Sequence, residues 1–117
     1  MISIQQEGDL TIAAVFAEFT LSDYKRLEEA VLGQLAAHKR VELLIDLRDM
    51  LGITVDVALE DIRFTREHSH EIGRIAILSE RDSVAWMAML EQLFVETQIK
   101  VFDGEALARA WLASEEV

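Results

Sequence analysis

Cysteine and proline are absent from this chain of 117 residues, and its five glycines, Gly8, Gly33, Gly52, Gly73 and Gly104, are scattered. Without cysteine there is no disulfide, no thiolate metal site and no cysteine nucleophile, a usage that fits a reducing cytoplasm. Without proline, and with glycine so dispersed, no segment reads as a flexible linker or a low-complexity tract. Positive charge is also scarce: 11 Lys and Arg stand against 22 Asp and Glu, a net charge of -11. A nucleic-acid backbone is bound through cations that release its counterions, so nucleic acid is not an expected partner. The same balance opposes general adsorption to anionic lipid and leaves only a local basic patch, acting within a Debye length of about 8 Å. The longest apolar run, Val84 to Leu90, is far short of the ~20 residues that span a bilayer. The opening Met-Ile-Ser-Ile-Gln-Gln-Glu lacks the basic and apolar regions of a secretory signal, so the expected compartment is the cytoplasm.

What is present is a core. Apolar residues make up 51% of the chain, and a chain of this size buries ~65% of the surface that its unfolded form exposes, enough for one domain over residues 1–117 without metal or disulfide. Ile2 and Ile4 alternate with polar neighbours, Glu7-Gly8-Asp9 supplies a turn, and Leu10 to Phe16 runs apolar, which predicts an N-terminal hairpin. Thr20 and Asp23 form a candidate capping box before Leu21, Tyr24, Leu27, Val31, Leu32 and Leu35, whose spacing predicts a helix ending near Ala37. Val41 to Leu47 reads as a strand covered on both faces, the expected centre of the sheet. A helix from about Val55 to His68, a strand from Arg74 to Ser79, a helix capped at Asp82 or Ser83 and running to about Glu96, a strand from Ile99 to Phe102 and a helix from Glu105 to Ala113 complete the order β-β-α-β-α-β-α-β-α. That order predicts an α/β domain with a mixed, mainly parallel sheet of four to five strands, an N-terminal hairpin and about four helices. Ile4, Ile12, Val15, Leu44, Ile45, Ile75, Ile77 and Val101 are the expected buried residues of the sheet.

Three words in this order carry a resemblance: Leu44-Ile45-Asp46-Leu47, then Arg74-Ile75-Ala76-Ile77-Leu78 after a helix containing His, then Val101-Phe102-Asp103 followed by Ala110-Trp111-Leu112. Over nearly its whole length the chain resembles the SpoIIAA-like family of the STAS domain superfamily, related in fold to bacterial anti-sigma-factor antagonists. The resemblance implies a STAS-type domain and no known reaction; some members are suspected of binding lipid-like ligands, as CRAL-TRIO lipid-transfer proteins do. In the antagonists a phosphorylatable Ser follows an Asp at the start of the helix after the central strand. Here Val55-Asp56-Val57-Ala58-Leu59 falls over that motif, and Val57 stands where the Ser would be. Phosphorylation at that position has no hydroxyl to act on, and nearby Thr54 suits a helix cap.

Two segments invite a functional reading. On the helix from Ser83 to Glu96, residues Met89, Leu93, Trp86, Leu90, Phe94 and Met87 span roughly 160° at 100° per residue, wider than the stripe of just over 100° that a surface helix needs. The ordinary account is core with a half-buried rim; the functional one is an adaptable apolar pocket or contact surface with Trp86, Met87, Leu90, Phe94 and the neighbouring Phe64. Between Arg63 and Arg74 the chain concentrates three basic residues and two His. Cations near a helix C-terminus offset its dipole, which is the ordinary account; the functional one is an anionic-headgroup site with Arg63, Arg66 and His68. His68 and His70 do not share a helix face and lack a third ligand, so no metal is expected.

Asp46, Asp49 and Asp56 surround the C-terminal end of the central strand, the edge where α/β sheets place ligands. A structural Asp46, with Asp49 or Asp56 at a turn or helix start, accounts for them without chemistry. No Gly-x-Ser-x-Gly, P-loop or Gly-x-Gly-x-x-Gly occurs, so no enzyme and no cofactor is expected. The expected function is a non-enzymatic binding module for an apolar or lipid-like small molecule, with transient peripheral membrane contact. The alternative is a protein-interaction or regulatory adaptor of the antagonist type, lacking the phosphorylatable serine, that meets a regulator or itself as a homodimer.

Overall fold

The computed structural model of the chain describes residues 1–38, 40–53, 72–79 and 98–114. Five strands, β1 (Ile2–Glu7), β2 (Leu10–Phe19), β3 (Val41–Ile53), β4 (Ile72–Leu78) and β5 (Ile99–Phe102), form one sheet in the order β1-β2-β3-β4-β5. The β1-β2 pair is antiparallel and the other pairs are parallel. The mixed sheet, its opening hairpin and the central place of β3 agree with the sequence pattern. Helices α1 (Leu21–Ala37) and α2 (Glu105–Ala113) are those expected from the first and last helical spacings, after the hairpin and after β5. The helices expected near 55–68 and 83–96 lie outside the described residues.

The hairpin turns at Gly8, whose φ of 62° falls at the first of two loop residues, where a tight hairpin turn favours glycine. α1 starts at the expected capping box: the Asp23 amide donates to Thr20 Oγ1 at 3.3 Å and the Thr20 amide donates to Asp23 Oδ2 at 3.1 Å. That pairing satisfies two of the amides a helix start leaves open. Tyr24, Leu27 and Val31 are buried against the sheet, while Leu32, expected on the same face, is 43% exposed; one residue beyond Val31, it is turned about 100° away from the apolar stripe. The hairpin is tied to α1 by polar contacts: Gln34 Nε2 donates to the Gly8 carbonyl at 2.6 Å, and Gln6 Nε2 to the Ala30 carbonyl at 3.0 Å.

Two strands run further than their apolar patterns suggest, β2 to Phe19 rather than Phe16 and β3 to Ile53 rather than Leu47. Beyond the pairs Asp46 with Leu78 and Ala14 with Asp46, β3 continues along β2 through two register shifts, each adding a residue to β3. The first shift changes which face each residue meets. Val41 and Leu43 are buried under α1, with Ile45 and Leu47 packed beside them, and the next residue to enter that core is Met50 rather than Asp49. Each added residue is a β-bulge, which leaves one residue unpaired and twists the strand locally. Past Asp46, β3 pairs with β2 alone among the described residues, so the two strands leave the sheet as a ribbon.

Each face of the sheet has its own core. Under α1 lie Ile2, Ala13, Val15, Phe19, Val41, Leu43, Met50, Ile75 and Ile77; on the other face Leu44, Ala76 and Leu78 pack with Ala108 of α2. Of the residues expected to form the sheet's core, Val15, Leu44, Ile75 and Ile77 are buried, and Ile4, Ile12, Ile45 and Val101 are half-buried beside them. On α2, Leu107 is 64% exposed and Ala108 is fully buried, so the helix meets the sheet through its smallest side chain, which lets backbone approach backbone. Trp111 adds a tilted ring contact with Phe102, centroids 5.7 Å apart. No helix among the described residues is long and apolar enough to cross a membrane.

Candidate functional site

The parallel strands bring their C-terminal ends to one edge, the side on which α/β sheets bind ligands. Asp46 on β3 stands level with Leu78 at the end of β4, and the Ser79 amide donates to the Phe102 carbonyl at 3.0 Å, closing β4 onto β5. Asp46 is engaged. Arg48 Nε donates to its Oδ1 at 2.9 Å, Arg48 Nη2 to its Oδ2 at 2.8 Å, and the Arg48 amide to Oδ1 at 3.0 Å. These hydrogen bonds from Arg48, outweighing the opposite pull of burial, hold the Asp46 carboxyl below its ordinary range. A carboxylate fixed as an ion by a bidentate guanidinium is poorly placed to deliver a proton at neutral pH. The pairing was legible in one respect: residues two apart on a strand share a face, so an Asp-x-Arg word at a strand end places both side chains together.

Asp49 corrects the sequence reading. It lies inside β3 opposite Phe16 and is exposed, rather than at a turn or helix start. The bulge that returns Met50 to the core leaves Asp49 on the opposite side. Phe16 pairs with Asp49 and so shares that side; Met1 shares it too, since the Phe16 amide donates to the Met1 carbonyl at 2.8 Å and the Met1 amino group to the Phe16 carbonyl at 3.2 Å. Met1, just before β1, is 73% exposed, Phe16 on β2 38% and Leu51, the added residue of the second bulge of β3, 76%. Glu18 and Asp49, the latter opposite Phe16, are exposed as well. Between Phe16 and Glu18, Ala17 adopts a φ of 56°, a left-handed conformation that a Cβ disfavours by roughly 1–2 kcal/mol. None of these surface features shows in hydropathy, because pairing to β2 rather than burial keeps this part of β3 extended.

The residues singled out in the sequence for an apolar ligand (Phe64, Trp86, Met87, Leu90 and Phe94) and for an anionic headgroup (Arg63, Arg66 and His68) lie outside the described residues, as do Thr54, Asp56 and Val57. Arg74, the last of the basic segment, is described, and its side chain serves α2. Its Nη1 donates to the carbonyls of Trp111 and Ser114 at 2.6 and 3.0 Å and to Ser114 Oγ at 2.8 Å. This places a cation at the C-terminus of α2, which has no basic residue in its own last turn. Among the described residues no three His, Asp or Glu side chains come together to hold a metal ion.

A family model described as SpoIIAA-like matches residues 10–113. Among solved structures, an uncharacterized protein with a SpoIIAA-like fold from Shewanella loihica superposes with a TM-score of 0.76 at 23% identity, covering 97% of this chain and 93% of that one. The anti-sigma factor antagonist SpoIIAA in its unphosphorylated form superposes with a TM-score of 0.61 at 11% identity, covering 95% and 98%. At such identities the likeness is one of fold. No curated protein matches the sequence.

Proposed function

Because the chain belongs to the SpoIIAA-like family of the STAS superfamily, we propose that it is a non-enzymatic regulatory adaptor, a protein-interaction module of the antagonist type that lacks the phosphorylatable serine. The observation that carries this reading is the sheet edge. The chain shares the fold of an anti-sigma factor antagonist over nearly its full length, yet at the end of its central strand Asp46 is locked to Arg48 and Val57 stands in the sequence where the antagonists carry Ser. An edge whose carboxylate is neutralised internally suits recognition rather than proton transfer. The reading as a module for an apolar or lipid-like molecule rests on Phe64, Trp86, Met87, Leu90 and Phe94, and nothing among the described residues or the comparisons adds support to it.

A native mass spectrum of protein freshly isolated from the cells that make it tests the proposal, together with peptide mapping after incubation with cell extract and ATP. The expected result is a second polypeptide held in fixed ratio, no small-molecule adduct, and no phosphate on residues 54–59. A stoichiometric apolar adduct would replace the adaptor with a ligand carrier, and stoichiometric phosphate on Thr54 would restore a phosphorylation switch.

A further inference from the structure

We propose that the outward face of α2 is where two copies of this chain meet, as an antiparallel helix pair about a two-fold axis beside Leu107. The proposal goes beyond the adaptor reading and does not depend on it, since it concerns a second copy and a face turned away from the sheet.

A surface helix ordinarily turns charged side chains to solvent. α1 does so, with Lys25, Arg26 and Glu29 exposed. α2 does not. Its Ala108 is buried against the sheet, and on the opposite side Ala106, Leu107, Ala110 and Ala113 are all exposed, Leu107 to 64%. At 100° per residue these four fall within an arc of roughly 120° that holds no charged or polar side chain of the helix. A helix that is apolar all round is ordinarily covered on every side, and this one is open on one. Leu107 supplies the apolar bulk, and the three alanines let a second helix approach to about 8 Å, the near end of the usual range between packed helices.

The rim selects the occupant. Glu105 and Arg109 lie along one flank of the face, bonded to each other at 2.9 Å, and Arg109 also reaches Glu7 at 3.2 Å; Leu107 lies along the other flank. In an antiparallel pair related by a two-fold axis, each flank meets the same flank of the second copy. With the axis level with Leu107, each Glu105 stands against Arg109 of the second copy, because both are two residues from Leu107, and the two Leu107 side chains meet across the other flank. Charge and apolar contact are satisfied in the same register. A parallel pair would lay the charged flank against Leu107 and set the two helix dipoles side by side in the same direction. One acid and one base leave the rim neutral, so neither a cationic nor an anionic partner is favoured over a second copy. The net charge of -11 resides elsewhere on the chain and is screened beyond about 8 Å at physiological salt.

α2 has nine residues and spans about 14 Å, so its face buries less than the roughly 800 Å² per partner of a standard complex, and the association is transient. Sedimentation equilibrium of the full chain should show the average mass rising from one chain toward two between about 1 μM and 1 mM. Leu107→Lys, at an exposed position, should leave thermal unfolding unchanged and weaken the dimer at least about tenfold. Glu105→Arg and Arg109→Glu should each weaken it similarly, because each sets like charges against one another across the pair. An equimolar mixture of these two variants should recover dimers to within about threefold of the parent, since every acid again meets a base. Recovery on mixing separates pairing across the axis from the bond within one helix, which mixing does not restore. A monomer at every concentration, a dimer indifferent to Leu107→Lys, no recovery on mixing, or assembly beyond two chains overturns the proposal. None of these outcomes bears on the adaptor reading, which the native mass spectrum tests through a different polypeptide.

Discussion

Arg74 and Trp111 are joined twice: Arg74 Nη1 donates to the Trp111 carbonyl at 2.6 Å, and the guanidinium carbon lies 5.4 Å from the centroid of the indole ring. A strand residue thus closes a helix 37 positions away. Ser114 joins the closure by donating from Oγ to the same carbonyl at 2.8 Å. The last carbonyls of a helix have no partner within it, and this cluster supplies one for the last turn of α2.

Arg74→Lys keeps the charge and loses the planar fork and the stacking on Trp111, so it should destabilise the fold by about 1–2 kcal/mol. Urea unfolding measures the loss. Amide exchange locates it: protection should fall first at residues 109–113, while β4 stays protected. Uniform loss across the sheet would show that Arg74 acts elsewhere.

Gly73 and Glu42 form a second pair whose energy can be isolated. A Cβ at Gly73 would lie 2.6 Å from Glu42 Oε1, and the same carboxylate accepts the Arg74 amide at 2.7 Å through Oε2. Gly73→Ala must therefore push the carboxylate off that amide, a cost of about 1–2 kcal/mol. In a Glu42→Ala background the obstruction is gone, and the same substitution should cost under about 0.5 kcal/mol. A double-mutant cycle by urea unfolding reads the difference, and equal costs in both backgrounds would mean that the two side chains do not interact.

Elements set by local rules could be read from the chain alone. Gly8 marks the hairpin turn, Thr20 and Asp23 make the box that starts α1, and the apolar run from Val41 marks the central strand. What escaped is what tertiary pairing decides. Arg48, Asp49 and Gly52 break the apolar alternation of β3, yet the strand continues to Ile53 because β2 holds its backbone, and two bulges shift its phase so that Met50 is buried and Leu51 exposed. A period of two cannot be followed across an added residue. Arg74 was legible as a cation suited to a helix C-terminus, but the helix it meets comes much later in the chain. Asp46 could be placed at the sheet edge from its word, whereas its engagement by Arg48 required recognising that two residues apart on a strand means the same face.

Ala17 offers a test of strain at the ribbon. Its φ of 56° suits glycine, so Ala17→Gly removes roughly 1–2 kcal/mol of backbone strain, set against about 0.5–1 kcal/mol of added freedom in the unfolded chain. The variant should be as stable as the parent or more stable by up to about 1 kcal/mol. Ala17→Val, with a branched side chain in the left-handed region, should be clearly destabilised. Thermal unfolding separates the three proteins, and a variant order with valine above glycine would rule out the left-handed conformation.

The Asp46–Arg48 fork sets a pH dependence whose direction follows from the lowered carboxyl. Because Asp46 holds its proton less tightly in the folded chain than in the unfolded one, the unfolded state binds more protons as the medium turns acidic. The fork's contribution is complete above the unfolded carboxyl range, near pH 4, and is lost as pH falls through the lower folded value. The Asp46 side chain is 19% exposed and Arg48 33% exposed, so solvent limits the pair to about 1 kcal/mol. Asp46→Asn should therefore trail the parent by about 1 kcal/mol at neutral pH, with the gap closing at the acidic end of the titration. Carboxyl-carbon NMR checks the premise directly, since Asp46 should titrate below an aspartate in the unfolded chain. A midpoint at or above that reference, or a stability gap that widens in acid, would show that the fork does not form in solution.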